Sequence, residues 1–219
     1  MRQNVSLAEI SDGHLYKAND MVKADCGGCE GCSQCCRGMG ISIILDPYDV
    51  YRLTTGIGKS MQELLATSVE LNVVDGVILP NLKMQGTGEA CAYLDTEGRC
   101  SIHPYRPGIC RLFPLGRHYE NGGLFYFLQT GECAKENRSK VKVSKWIDTP
   151  ELKRNEQFKL QWHDLLSAMT DRVAGEDEGK QREENLLLLR LFYLLPYEGT
   201  TDFYSQFTER MEHWNEQIG

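Results

Sequence analysis

The sequence predicts an α+β fold: an irregular cysteine-rich metal-binding core with short antiparallel strands, followed by a C-terminal helical bundle. Three observations predict it. Five cysteines crowd into residues 26–36, and four more follow at 91, 100, 110 and 133. Between residues 70 and 129, short apolar runs are separated by Asp75-Gly76 and Asn121-Gly122-Gly123, the chemistry of tight hairpin turns. From about Ser144 the apolar residues recur at helical spacing. A chain of 219 residues can bury a real core as one sizeable domain or two small ones. The change of pattern divides it into residues 1–146, a cysteine-cluster metal-binding domain, and residues 147–219, a helical region packed on it.

The elements follow in order. Residues 1–25 are polar, with a short helix near Leu7 to Ile10 or an extended arm. Residues 39–45, rich in Ile, read as a buried strand. Asp46-Pro47 starts a helix, with Asp as cap and Pro at the first helical position. Ser60 and Glu63 form a capping box for the next helix. Between them lies Gly58-Lys59-Ser60, which resembles the end of a phosphate-binding loop. That motif needs a Gly at position 53, where the chain has Leu, and a preceding strand, where it has a helix. A hairpin spans residues 70–85, a short strand begins at Cys91, and Pro104, Pro107 and Gly108 leave only a helical turn before Cys110. The clearest hairpin runs over residues 112–129. Residues 134–142 read as a basic loop.

In the tail, Phe158, Trp162, Leu165, Leu166, Met169 and Val173 share one face of a long helix starting near Pro150. Residues 175–184 read as a charged linker or an exposed helical turn. Residues 186–195 are apolar almost all round, which predicts deep burial. Thr201 or Asp202 caps a last helix with Phe203, Phe207, Met211, Trp214 and Ile218 on one stripe. These aromatic and Met residues read as core.

A net charge of −7 argues against a nucleic-acid partner, which needs a positive field. No apolar run is long enough to span a bilayer, and the first residues, MRQNVSLAEI, lack the apolar stretch of a signal peptide. The expected location is therefore cytoplasmic. Disulfides are rare there, so nine clustered cysteines point to metal or catalysis. Two-residue spacing lets a tight turn aim two sulfurs at one ion, as in zinc and iron–sulfur sites. Cys35 and Cys36 are adjacent, and neighbouring side chains in extended chain point apart, so more than one metal or a multinuclear cluster is expected. With Cys26 set aside, the candidate ligands are Cys29, Cys32, Cys35, Cys36, Cys91, Cys100, Cys110 and Cys133. Eight thiolates carry more charge than two zinc ions or two 4Fe–4S cores offset, so nearby cations are required. Arg37, Arg99, Arg106, Arg111 and Arg117 lie close to cysteines in the chain. Arg106 and Arg111, flanking Cys110 in a Pro-containing segment, are the candidates for holding the cofactor by charge and hydrogen bonds.

The run Cys29-x2-Cys32-x2-Cys35-Cys36, with Gly98-Arg99-Cys100-Ser-Ile-His-Pro-Tyr-Arg106-Pro107-x2-Cys110-Arg111-Leu-Phe113-Pro114, resembles the YkgJ-type cysteine-cluster family, to which zinc or iron chelation is ascribed. The resemblance covers about residues 26–146. It implies a metal-binding module, and a related cysteine motif in flagellin lysine N-methylases is linked to an iron–sulfur cluster. Two departures stand out. Cys26 lies outside the core motif, and His103 stands where the family commonly has Tyr, so His103 is not counted as a ligand.

Three functions follow. The first is a metal-binding protein holding zinc or an iron–sulfur cluster (4Fe–4S) in a structural, carrier or regulatory role. The second is an iron–sulfur enzyme of redox or protein lysine N-methyl transfer. The third is an interaction module whose helical tail docks a protein partner. No dinucleotide fingerprint, phosphate loop, nucleophile elbow or CxxxCxxC motif marks an independent active site. Thiolate-only sites are more often structural or electron-carrying than catalytic, which favours binding. The run of x2 spacings with adjacent cysteines favours iron–sulfur over zinc.

Overall fold

The computed structural model describes residues 6–27, 32–135 and 137–218. The first part carries α1 (Leu7–Ile10), β1 (Met21–Asp25), a 3₁₀ turn over Gln34–Cys36, α2 (Pro47–Ile57), α3 (Met61–Thr67), β2 (Val69–Val74) and β3 (Val77–Leu82). Then come β4 (Met84–Gln85), β5 (Ala90–Cys91), a 3₁₀ turn over His103–Tyr105, α4 (Gly108–Leu112), β6 (Leu115–Glu120), β7 (Gly123–Leu128) and β8 (Ser139–Lys142). The tail is α5 (Val143–Ile147), α6 (Leu152–Val173), α7 (Glu178–Leu189), a π-helical stretch over Arg190–Leu194, and α8 (Phe203–Ile218). The strands pair as separate antiparallel ribbons, β1 with β8, β2 with β3, β4 with β5 and β6 with β7. This is the α+β architecture the sequence predicts.

The local signals explain most of these elements. Asp46 accepts from the Asp49 amide while Asp49 reaches back to the Asp46 amide, and Ser60 and Glu63 do the same at α3. Gly58 ends α2 at φ 72°, where a side chain would be strained. Asn121 and Gly122, at φ 50° and 70°, make the two-residue turn whose twist matches β6 and β7.

Two apolar cores form. The larger joins Leu45, Val50 and Leu53 around α2, and Leu79 and Leu82 of β3, to Phe158, Trp162, Phe192, Phe207 and Trp214 of the tail. Its aromatic rings meet largely edge to face, as Phe158 does with Phe203 and Phe207 at centroid distances of 5.1 and 4.7 Å. The smaller core holds Val22, Ala24, Leu112, Leu115, Tyr126, Leu128, Val143 and Ile147, under β1, α4 and the β6–β7 hairpin.

Three expectations need correction. Residues 39–45 are not a strand: only Ile44 bridges, to Asn81, and positive-φ Gly38 and Gly40 bend the chain out of extension just before it. Ile43 and Leu45 are buried, whereas Ile41 is exposed. The basic segment read as a loop contains β8, which pairs with β1. Its only apolar residue, Val141, sits between lysines and gives no alternating signal. Of the two readings of residues 175–184 the helical one holds: most of them are the first turns of α7, capped by the Asp177 carboxylate, which accepts from the Gly179 and Lys180 amides. The segment 186–195 is not buried all round, because Leu186 is 55 % and Leu195 49 % exposed. Its backbone widens into the π-helical stretch, which rotates the inward face and spends Phe192 and Tyr193, rather than every Leu, on the core.

Candidate metal centre

Four segments deliver cysteines to one region. The 3₁₀ turn carries Cys35 and Cys36, and the next residue, Arg37, bridges to Ala90. A second bond, from the Gly38 amide to the Glu89 carbonyl at 2.9 Å, fastens the same join. That sets the vicinal pair beside β5 and its Cys91. The chain then turns at Gly98, and the bridge between Leu94 and Cys100 returns Cys100 towards Cys91. Cys110 comes from α4, one turn into the helix rather than after it, and lies against the larger core.

The thiols of Cys35, Cys36, Cys91, Cys100 and Cys110 stand close enough to feel one another's charge. The Cys35 thiol is pushed up first by its hydrogen bond to Cys36 and then by burial. The same interaction pulls Cys36 down, so the Cys36 sulfur carries the charge more easily than that of Cys35. Burial is the leading cause that raises Cys91, Cys100 and Cys110, and neighbouring cysteines add to it. This gathering is regional. Among the described residues, no three His, Cys, Asp or Glu side chains are drawn close enough to hold a metal ion as they stand. No disulfide joins any of the eight described cysteines, and all eight are half-buried.

The other predicted ligands are placed differently. Cys29 lies outside the described residues. Cys32 precedes the 3₁₀ turn and Cys133 follows the β6–β7 hairpin, and neither is among the principal charges acting on the five. Arg106 acts on Cys35 and Cys100 and opposes the rise of both thiols. Its Nη1 donates to His103 Nε2 at 2.8 Å, which engages that ring nitrogen with a guanidinium. Its Nε is buried without a hydrogen-bond partner among the described residues. Arg111 instead turns away from the sulfurs: Nη1 donates to the Asp148 carbonyl at 3.0 Å and Nη2 to the Pro104 carbonyl. A cluster of soft donors with a cationic hydrogen-bond donor beside it suits zinc or an iron–sulfur group, so the residues present fit such a cofactor.

Beside the thiols lies a charged seam that the sequence patterns did not reveal. Lys159 of α6 and Asp46 at the start of α2 make a buried ion pair. Burial lowers the Lys159 ammonium to about 7, and contact with the Asp46 carboxylate works against that fall. Asp49 accepts from the Gly108 amide at 2.7 Å. Burial raises its carboxyl to about 6, although Arg117, Arg111 and Arg52 oppose the rise. A Cβ on Gly108 would lie 3.2 Å from Arg117 Nη2 and 3.4 Å from both Asp49 Oδ1 and Lys159 Nζ, so the charged groups close around a residue that needs no side chain. Asp49 has a complete helix-cap role in sequence, and Lys159 sits at the edge of an apolar stripe. The one available signal was Gly108 directly after Pro107, at the head of the helix carrying Cys110.

The family model named CxxCxxCC and described as "Putative zinc- or iron-chelating domain" matches residues 28–140, just over half of the chain. No curated protein and no solved structure matches the chain significantly.

Proposed function

Because the chain belongs to the CxxCxxCC family, a family of metal-chelating domains, we propose that it binds zinc or iron through its clustered thiolates, and that the group held is an iron–sulfur cluster in preference to zinc. The observation that carries this reading is the convergence of Cys35, Cys36, Cys91, Cys100 and Cys110 from four segments of the chain. Five thiols in one region exceed the four that a tetrahedral zinc takes, and the vicinal pair suits a cluster with several metal atoms. Cys32 and Cys133 complete the ligand set from the flanking segments, and Cys29 joins them on the strength of the sequence motif. Bound there, the cluster supplies electron transfer or structural cross-linking. The chain's own residues gather the sulfurs, shield them against the larger core, and place the Arg106 charge against them. The final closure of the thiols is the kind of ordering that metal ligation itself drives. Residues 1–146 form the metal-binding unit in this reading, and the helical tail supports it.

Anaerobic purification followed by metal and sulfide analysis and an absorption spectrum tests the proposal. Iron with acid-labile sulfide and broad absorbance near about 400 nm is the expected result. A colourless protein with stoichiometric zinc would keep metal binding and overturn the preference for iron–sulfur.

A further inference from the structure

Four guanidiniums crowd one small pocket behind the thiols. Arg52, Arg106, Arg111 and Arg117 line it together with Lys159 and Asn155. The Lys159 charge is spent on Asp46, and the Asp49 carboxylate is the remaining acid on the wall. The arginines are tethered chiefly by neutral acceptors. Arg52 and Arg111 both donate to the Pro104 carbonyl, and Arg111 also reaches the Asp148 carbonyl. The nearest Asp148 carboxylate oxygen is 3.8 Å from Arg111, on a side chain 87 % exposed. Arg52 and Arg106 stand close enough to Arg111 for their charges to repel it. Several like charges held together by carbonyls form an arrangement that an anion stabilises.

A second observation comes from between the pocket, which Asn155 lines, and the cleft that Tyr204 lines. Asn155 is 5 % exposed, and its Nδ2 has no hydrogen-bond partner among the described residues. Its amide acts on the Tyr204 hydroxyl, yet neither group reaches hydrogen-bond geometry with the other. The space inside is about 10 Å³, room for one oxygen atom. Through Tyr48, Arg52 and Pro150 it adjoins an open cleft of about 530 Å³. Four tyrosines line that cleft, Tyr48, Tyr51, Tyr105 and Tyr204. The acids at its rim, Glu151 and Asp202, are each engaged by Arg154 at 2.7 Å. The cleft is therefore aromatic at its walls and cationic at its floor, and its volume suits a small organic molecule.

We propose that the pocket and cleft together bind a small phosphate monoester with a planar aromatic body. One phosphate oxygen enters between the arginines, and the ring lies among the tyrosines. A phosphate dianion matches several guanidiniums better than a single carboxylate does. The assignment does not depend on which metal the thiols hold, since Arg52 and Arg117 are not among the cysteine-directed arginines.

The test is calorimetric titration of the full chain, as purified with its metal, using phenyl phosphate, benzoate and inorganic phosphate. Phenyl phosphate should bind with a dissociation constant below about 1 mM. Benzoate and inorganic phosphate should each bind at least tenfold more weakly. Arg52→Gln and Arg117→Gln should each weaken phenyl phosphate at least tenfold while metal content stays unchanged and the circular dichroism spectrum remains that of the folded wild type. No binding of phenyl phosphate overturns the site, as does equal binding by both variants. Benzoate binding as tightly as phenyl phosphate overturns the phosphate assignment, and inorganic phosphate doing so overturns the role of the tyrosine cleft.

Discussion

The cysteine-bearing layer and the helical tail are built by opposite means. The tail buries large aromatic residues: Phe158, Phe192 and Phe207 are at most 2 % exposed, and Trp214 is 3 %. Its stability comes from apolar area and ring packing. The cysteine layer has ribbons of two strands, 3₁₀ turns and half-buried thiols. An isolated two-stranded ribbon is marginal in water, so this layer depends on what it packs against and on its ligands. The difference teaches where each half should fail: the tail by losing volume, the layer by losing a sulfur.

Cys110→Ser gives the largest effect. It removes a sulfur that packs against the larger core, and the layer should lose most of its metal and its ordered amide protection over residues 32–133. Hydrogen exchange resolved along the chain checks this, with α6 and α8 keeping their protection. Retention of full metal content and an unchanged melting temperature would remove Cys110 from the ligand set.

Phe158→Ala breaks the comparison from the other side. The ring packs on Tyr48, Phe203 and Phe207 and is 1 % exposed. Truncation should cost about 3–5 kcal/mol in denaturant unfolding while metal per chain stays constant. A variant that loses metal in proportion to stability would show that the two halves form one cooperative unit.

Asp49→Asn sharpens the seam between them. The folded carboxyl is raised to about 6 from 3.8, so the folded chain holds a proton there that the unfolded chain releases. Its contribution to stability is present in full below about pH 4 and is lost as pH rises through about 6. The span corresponds to an upper bound of about 3 kcal/mol. Asn keeps an acceptor for the Gly108 amide and cannot titrate. The difference in stability between wild type and variant should therefore shift in favour of the variant as pH rises from 4 to 7, as followed by chemical denaturation. A pH-independent difference would contradict the assignment.

Much of this molecule was legible where one local signal decides one element. Asp46-Pro47, Ser60 with Glu63, and Asn121-Gly122 each fix their own backbone, and the apolar stripe of α6 fixes its face. The misreadings fall where the deciding partner is distant. β8 exists because β1 pairs with it, and its own residues are lysines and one valine. The Ile-rich run 39–45 is the local exception: it has strand composition, but Gly38 and Gly40 set its path. The charged seam was hidden by distance: Asp49, Lys159 and Arg52 come from α2 and α6, and only their packing unites them. The cysteines were found because thiols at x2 spacing carry chemistry in the sequence itself. Four of the five gathered cysteines are set by two bridges, Arg37 to Ala90 and Leu94 to Cys100, and Cys110 arrives on α4.

X-ray absorption spectroscopy at the metal edge of the purified protein reads the ligand atoms themselves. Thiolate ligation by the gathered cysteines predicts a first shell of sulfur at about 2.3 Å. A first shell made only of nitrogen and oxygen, or a protein purified anaerobically with no bound metal to measure, would contradict it.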